Sequence, residues 1–514
     1  MPGQGQTGET GWMKFDRVKS LDAILATAKK KSLNRSLGAF QLTMLGIGGI
    51  IGTGIFVLTS EAAQKAGPGM MLSFVLAGFI CMCAAICYSE LASMVPTAGS
   101  AYTYTYAVMG ERLAWMVGWA LILEYAIGAS AVASSWSGYM IGLVQNLFHI
   151  KISPLWVNSP SAGGYINLPA VVITLLITWL LILGTTESAR ANAILVGIKV
   201  AALSLFAILA IPVMNASHFE PFMPTGITGV AGAAASIFFA YVGFDAVSTA
   251  AEETRNPQRN VPVALIASLA FCTIFYLLVS LGAIGSPLGA QPVTGADGGI
   301  LAPGTLALEQ RCHTIVATGA QEPLPCSHEA LAHVLRSIGW SRIGNLIGLA
   351  ATIALPSVVL MMIFGQTRIF FTMARDGLLP DSFARVHARY RTPHIVTTVT
   401  GIGTAIGAAF LPVGTLADYS NSGTLFAFAM VAVSVLILRR TDPTRARPFR
   451  APAIWLFAPL AIIGCIYLYL SLDLIAILVL PVWGAIGLLI YYGYGRSRSY
   501  VGRGIETSDS LEPN

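Results

Sequence analysis

Gly46-Ile47-Gly48-Gly49-Ile50-Ile51-Gly52-Thr53-Gly54-Ile55-Phe56 lies inside an apolar run, from about Leu37 to Leu58, that is long enough to cross a bilayer as a helix. Five of the nine residues from Gly46 to Gly54 are glycine, and glycine weakens a helix interior. A span that breaks near its midpoint exposes N–H and C=O groups where lipid cannot satisfy them. Such a break is tolerated only where the freed groups line a cavity or bind something. The stretch is therefore a candidate ligand site built from backbone, with a half-helix N-terminus offering N–H donors to an anion. A plainer reading competes: Gly48 and Gly52 have the spacing of a close-packing helix contact. A nucleotide-binding glycine loop is excluded, because the spacing is G-x-G-x-x-x-G and no strand precedes it.

The rest of the composition agrees with a chain that lives in lipid. Of 514 residues, 55% are apolar and only 11% charged, and the mean hydropathy is +0.71. Soluble domains carry about a quarter charged residues, so the chain reads as an all-α polytopic membrane protein. The polar, charged N-terminus and the length of the first apolar run argue against a cleavable signal peptide. Cys81, Cys83, Cys87, Cys272 and Cys465 lie in apolar runs and read as small buried residues.

Residues 1–36 form a polar arm in which Phe15, Val18, Leu21, Ile24 and Leu25 recur at helical spacing among lysines and arginines. That pattern predicts a basic amphipathic helix on the membrane surface. Twelve apolar runs follow, near 37–59, 70–95, 112–146, 167–185, 191–213, 229–251, 262–285, 343–373, 394–411, 417–438, 452–472 and 474–495. With the N-terminus cytoplasmic, 24 of the 30 Lys and Arg fall on the inner side, as the positive-inside rule requires. Both termini are then cytoplasmic, and the net charge of +6 serves topology rather than nucleic-acid binding. The one long loop, about 286–342, faces outside and carries Cys312 and Cys326. A disulfide is the leading expectation for that pair in an oxidising compartment, with free thiols or a metal site using His313, His328 and His333 as alternatives.

A second interruption falls in the sixth run: Ser236-Ile237-Phe238-Phe239-Ala240-Tyr241-Val242-Gly243-Phe244-Asp245-Ala246-Val247-Ser248-Thr249 places a glycine, a carboxylate and two hydroxyls about halfway. Runs one and six each open a set of five, and five is odd, so the second set enters from the opposite side. Paired interruptions at corresponding places point to an inverted-repeat transporter and its binding site.

Gly48 to Phe56 resembles the first-helix signature of the amino acid–polyamine–organocation superfamily. Tyr88-Ser89-Glu90-Leu91 with Pro96-Thr97-Ala98-Gly99-Ser100-Ala101-Tyr102-Thr103-Tyr104 is similar to its second-helix signature. Phe238 to Thr249, Glu252-Glu253, Arg255-Asn256-Pro257-Gln258-Arg259, Gly365-Gln366-Thr367-Arg368, Ala374-Arg375-Asp376-Gly377-Leu378-Leu379-Pro380 and Gly423-Thr424-Leu425-Phe426-Ala427 resemble its cationic amino acid transporter branch, bacterial type. The likeness covers roughly 37–495. It departs at loop 286–342, which is longer than in compact bacterial members, and twelve spans fall short of the fourteen usual in animal members.

The resemblance implies a five-plus-five inverted repeat of the leucine-transporter type with twelve transmembrane helices. It divides the chain into an arm (1–36), a first repeat (37–213), a second repeat (214–438), two added spans (439–495) and a tail (496–514). An L-amino acid would bind between spans 1 and 6. The N–H groups of Thr53 and Gly54, beside Gly52, would hold the carboxylate. The carbonyls of Ile50, Phe239, Ala240 and Val242 would hold the ammonium. Glu124 and the span 8 face from Ser357 to Ile363 would shape the side-chain pocket.

Ionisable groups inside spans cost about 2.5–3.5 kcal/mol each on insertion scales, so each is a functional candidate. The resemblance assigns Lys199 to the cation site of sodium-coupled relatives, which makes it a candidate for proton coupling; the alternative is a fixed tie to span 1 carbonyls. Glu124 is either a pocket wall or a proton carrier. Asp245 is a third coupling candidate, or a hydrogen-bonding support for the broken helix. Glu90 is expected to pair with Arg259 or Arg375.

These readings converge on a proton-coupled L-amino-acid permease of the inner membrane working by alternating access. An exchanger on the same fold and a transport-inactive receptor are the alternatives. No nucleophile–base pair or metal cluster in the spans suggests an enzyme. No cofactor is expected beyond the proton as coupling ion, and a small single-span membrane subunit is a further candidate partner besides the lipid bilayer. Met361 and Met362 lean toward neutral substrates, and Glu124 toward cationic ones.

Overall fold

Backbone immersed in lipid must satisfy its hydrogen bonds within each segment, and helices do so. The computed structural model of the protein describes residues 17–19, 21, 24, 37–96, 99–184, 189–390 and 392–504, with Arg190, Thr249 and Glu252 described in backbone only. Among the described residues no β-strand forms; two isolated bridges, Leu37–Thr254 and Thr294–Ile300, are present. The amphipathic-helix reading of 1–36, Thr97-Ala98 of the second signature, Arg391 and the tail from 505 lie outside the described residues. Of the arm, Leu21 and Ile24 are buried, Arg17 donates to Glu111 at 3.1 Å and Lys19 to Asp376 at 2.7 Å.

The first span is divided into α1 (Ala39–Ile50), α2 (Thr53–Phe56) and α3 (Leu58–Ala66). There follow α4 (Met70–Met94), α5 (Ser100–Met109), α6 (Glu111–Phe148), α7 (Leu168–Ile182) and α8 (Ala189–Ala210). The second divided span comprises α9 (Gly226–Ile237), a 3-10 turn Phe238–Tyr241 and α10 (Ala246–Thr249). Then come α11 (Pro257–Ile284), the loop helices α12 (Leu306–Ala317) and α13 (Ala330–Ser337), and α14 (Ser341–Arg375). The chain closes with α15 (His394–Phe410), α16 (Val413–Thr441), α17 (Ile454–Leu470) and α18 (Leu474–Ile490).

Among the described residues, eight helical stretches are long and apolar enough to cross a membrane, and α1, α7, α15 and α17 are shorter apolar helices. The long α6 is the hub: α14 and α16 pack along it, while α4 packs on α11 and α11 on α1. Trp119 and Trp483 stack 4.7 Å apart and each indole N–H donates to the other's carbonyl, which fastens α18 to α6.

Charges sit where they are paired. Glu90 does not meet Arg259 or Arg375, as its place near the inner end of span 2 suggested. It accepts two hydrogen bonds from Arg439, at 2.7 and 2.6 Å, and one from the amide of Ala451, with Arg447 Nε at 3.2 Å. The basic segment after α16 folds back over α4, and that return is invisible in sequence spacing. Lys65, an outer lysine by the topology count, is held by Asp418 at 2.9 Å and Ser236 at 2.6 Å, with Glu61 and Asp473 at 3.4 and 3.7 Å.

In the outer loop Cys312 and Cys326 are joined, with Cα atoms 5.8 Å apart. No group of three or more His, Cys, Asp or Glu that could hold a metal forms among the described residues. His328 Nε2 lies 3.2 Å from Glu309, with the imidazole more than half exposed.

Two expectations follow. Arg439→Ala strands a carboxylate that is 2% exposed and should destabilise the protein by about 3 kcal/mol, read as a lower unfolding midpoint in detergent. An Arg439→Gln/Glu90→Gln pair should lose less. The Glu309 carboxylate raises the His328 imidazole from 6.5 to about 9. Burial opposes ionisation of Glu309, but His328 holds its carboxyl below the usual range. The histidine's contribution is therefore complete below 6.5 and lost as pH rises through about 9, and the glutamate's is lost only as pH falls through its lowered value. A His328 resonance followed by NMR should titrate near 9 and return toward 6.5 in Glu309→Gln.

Candidate functional site

The two interrupted spans meet at their interruptions. Helix α1 stops at Ile50, Gly52 caps α2 in an extended conformation, and the chain resumes as helix at Thr53. In the second span the 3-10 turn gives way to extended backbone at Val242, and Gly243 adopts a φ of +111° before α10 begins. That φ suits glycine, and a Cβ there would lie 2.8 Å from the backbone of Gly49. A Cβ on Gly54 would lie 2.2 Å from Cα of Ala240. The glycines of the first span therefore serve both competing readings at once: the helix breaks, and the broken pieces pack backbone to backbone.

A helix ending in the interior leaves its last carbonyls without intrahelical partners, and side chains from two other spans take them. Lys199 Nζ of α8 donates to the Gly48 carbonyl at 2.9 Å while only 1% exposed. The partial negative charge of a helix C-terminus favours a cation there. Tyr276 of α11 lies with its hydroxyl 2.8 Å from the Ile50 carbonyl and 2.8 Å from the Ala240 carbonyl. One hydroxyl carries one proton, so two carbonyls from opposite sides of the junction share a single donor.

The remaining sequence-derived residues fall as follows. Thr53 Oγ1 is buried and makes no hydrogen bond, while its carbonyl accepts from the Val57 amide. The Phe239 carbonyl accepts from the Val242 amide at 3.2 Å. Val358 faces Gly52, and Met361 approaches Gly49, so the Ser357–Ile363 face does reach the junction. Glu124 is buried on α6 with neither carboxylate oxygen hydrogen-bonded, although the Thr424 hydroxyl is beside it. Asp245 Oδ2 accepts from Tyr125 at 2.6 Å and Oδ1 from no group. Tyr125, next in sequence to Glu124, thus places the two carboxyls in one neighbourhood, whereas Lys199 sits on the Gly48 side.

Tyr276, Tyr125 and Tyr139 were missed from sequence. Tyr139 donates to the Phe56 carbonyl at 2.8 Å and packs edge-on against that ring, beyond the outer end of α2. A lone tyrosine in an apolar run was the available signal for Tyr276, but hydropathy treats such a residue as apolar.

Comparison with known proteins agrees with this geometry. The family model described as amino acid permease matches residues 37–492. The branched-chain amino acid permease BcaP of Bacillus subtilis is 41% identical over 487 residues, spanning 94% of this chain and 98% of that protein. The methylthioribose transporter of the same organism is 40% identical over 490 residues, spanning 95% and 99%. The vacuolar cationic amino acid transporter 2 of Arabidopsis thaliana is 35% identical over 443 residues, spanning 83% of this chain and 63% of that protein.

Gly54→Ala should press a methyl into rigid backbone at Ala240 and cost about 1–3 kcal/mol by overpacking. Tyr276→Phe should orphan two buried carbonyls, at about 1–3 kcal/mol. Thermal unfolding of each variant in detergent checks both.

Proposed function

Because the chain belongs to the amino acid permease family, we propose that it imports L-amino acids by proton-coupled secondary transport, with the substrate held between the two interrupted spans. The relatives are transporters rather than enzymes, and the chain is a multi-pass membrane protein. The observation that carries the reading is the pairing of unlike helix ends at one junction. The first amides of α2 lack intrahelical acceptors and lie beside the unpartnered hydroxyl of Thr53, which suits a carboxylate. The carbonyls of Ile50 and Ala240 compete for one proton of Tyr276, which leaves acceptor capacity for an ammonium with three donors. A zwitterionic amino acid needs both ends.

In this reading α1 with the seven other short and long apolar segments through α8 and α16 forms a five-plus-five repeat, and α17 and α18 complete twelve spans in the inner membrane with both termini cytoplasmic. Lys199 occupies the position of a coupling cation, and Glu124 with Asp245 exchanges the proton. An unpaired carboxyl at such depth is expensive enough to mark a functional group. Entry of one proton is worth about 2.3 kcal/mol per 100 mV, against about 1.4 kcal/mol for a tenfold substrate gradient. Val358, Met361 and Met362 on α14 make the surroundings apolar and adaptable, which favours neutral, aliphatic side chains.

The test is uptake of labelled leucine and arginine into proteoliposomes, acidic outside and neutral inside. Wild type should accumulate leucine over arginine only with the pH gradient. Lys199→Ala should bind leucine but lose gradient-driven accumulation. Absence of uptake of any amino acid would sink the proposal, and counterflow independent of the pH gradient would select exchange.

A further inference from the structure

The proposed function leaves unused a cavity of about 360 Å³ beneath the outer loop, a size suited to a small molecule. Its floor is Val57, the residue between α2 and α3, and the Phe56–Tyr139 pair lies just beneath, toward the junction. One wall is the outer part of α6. The roof is the disulfide-closed segment that carries Glu309 and His328.

The roof is seated firmly. The loop rests on α6 at two glycines one turn apart: a Cβ on Gly138 would lie 3.1 Å from the His328 carbonyl, and one on Gly142 would lie 2.3 Å from the Glu329 carboxylate. Glu329 is in turn held by both terminal nitrogens of Arg336. The space below is therefore enclosed by fixed structure.

Ser137 on the α6 wall is 1% exposed, and its hydroxyl makes no hydrogen bond. Its neighbour Ser135 donates to the carbonyl one turn back at 2.9 Å, the usual resting place of a helical hydroxyl. Ser137 does not, and it lines the cavity. A buried hydroxyl without a partner costs about 1–3 kcal/mol, so the wall keeps a polar group ready for an occupant. The other polar groups come in opposite charges: Glu309 with His328 on the roof and Glu61, paired to Lys65, on the α3 wall.

We propose that this cavity is a second, outer amino-acid site, in which Ser137 and the charges of both signs hold the zwitterion above the Phe56–Tyr139 floor before it reaches the junction. The proposal rests on the amino-acid reading above.

Equilibrium dialysis of labelled leucine against the full-length protein in detergent tests it. Wild type should bind two molecules per chain. Ser137→Phe, which fills the cavity, and Gly54→Val, which closes the junction, should each bind one. Ser137→Ala keeps the shape and removes one hydrogen bond, so it should weaken only the outer site, by about fivefold. This variant carries the test if Ser137→Phe fails to elute as a folded monodisperse species. One molecule per chain in wild type, lost in Gly54→Val and unchanged in both Ser137 variants, would overturn the outer site and leave the proposed function standing. No binding to wild type would overturn the amino-acid reading itself.

Discussion

A helix that stops inside a membrane protein creates a debt of unpaired carbonyls and amides, and the rest of this structure is arranged around discharging it. Lys199 and Tyr276 take the carbonyls at the end of α1 from two different helices. Gly49 and Gly243 let the two interrupted backbones touch, and Gly54 lets α2 lie against Ala240. Removing water raises the cost of every unmet polar group. The groups that remain open are therefore few: the α2 end beside Thr53, and the carbonyls that share one tyrosine proton. Under the proposed function these are the groups a zwitterion would complete.

The same economy governs the charges. Glu90 is met by two arginines and an amide, and Lys65 by three carboxylates, so each cluster ties several elements together near an end of the helices. Glu124 and one oxygen of Asp245 are the departures from that pattern, and both lie close to the interrupted spans. Around them the scaffold is rigid: α14 and α16 lie along α6, and the interlocked Trp119 and Trp483 hold α18 against it. A site that binds through backbone groups requires this support, because a shift of the helix ends moves every donor and acceptor at once.

Much of this was legible in the residues themselves. The interruptions at Gly52 and Gly243 stood out because glycine, carboxylate and hydroxyl residues are costly in an apolar span. The apolar runs and their helices coincide because hydropathy and internal hydrogen bonding are properties of single segments. Tyr276 was not legible, since its value lies in one oxygen placed between two carbonyls 190 residues apart in sequence. Glu90 was assigned the wrong arginines because proximity along the chain says little about which loop folds back.

The sequence by itself determined that the chain is helical and membrane-embedded, which spans are interrupted, and which ionisable residues are buried at membrane depth. These follow from composition and from the short-range preferences of glycine and charge. The tertiary structure alone decided that the two interruptions touch, that Lys199 and Tyr276 cap the broken end, that Tyr125 joins Asp245 to the neighbourhood of Glu124, and that the outer loop roofs a cavity lined by Ser137. Each depends on helices distant in sequence arriving within hydrogen-bonding range. That convergence is fixed by packing around α6, and no single stretch of residues encodes it.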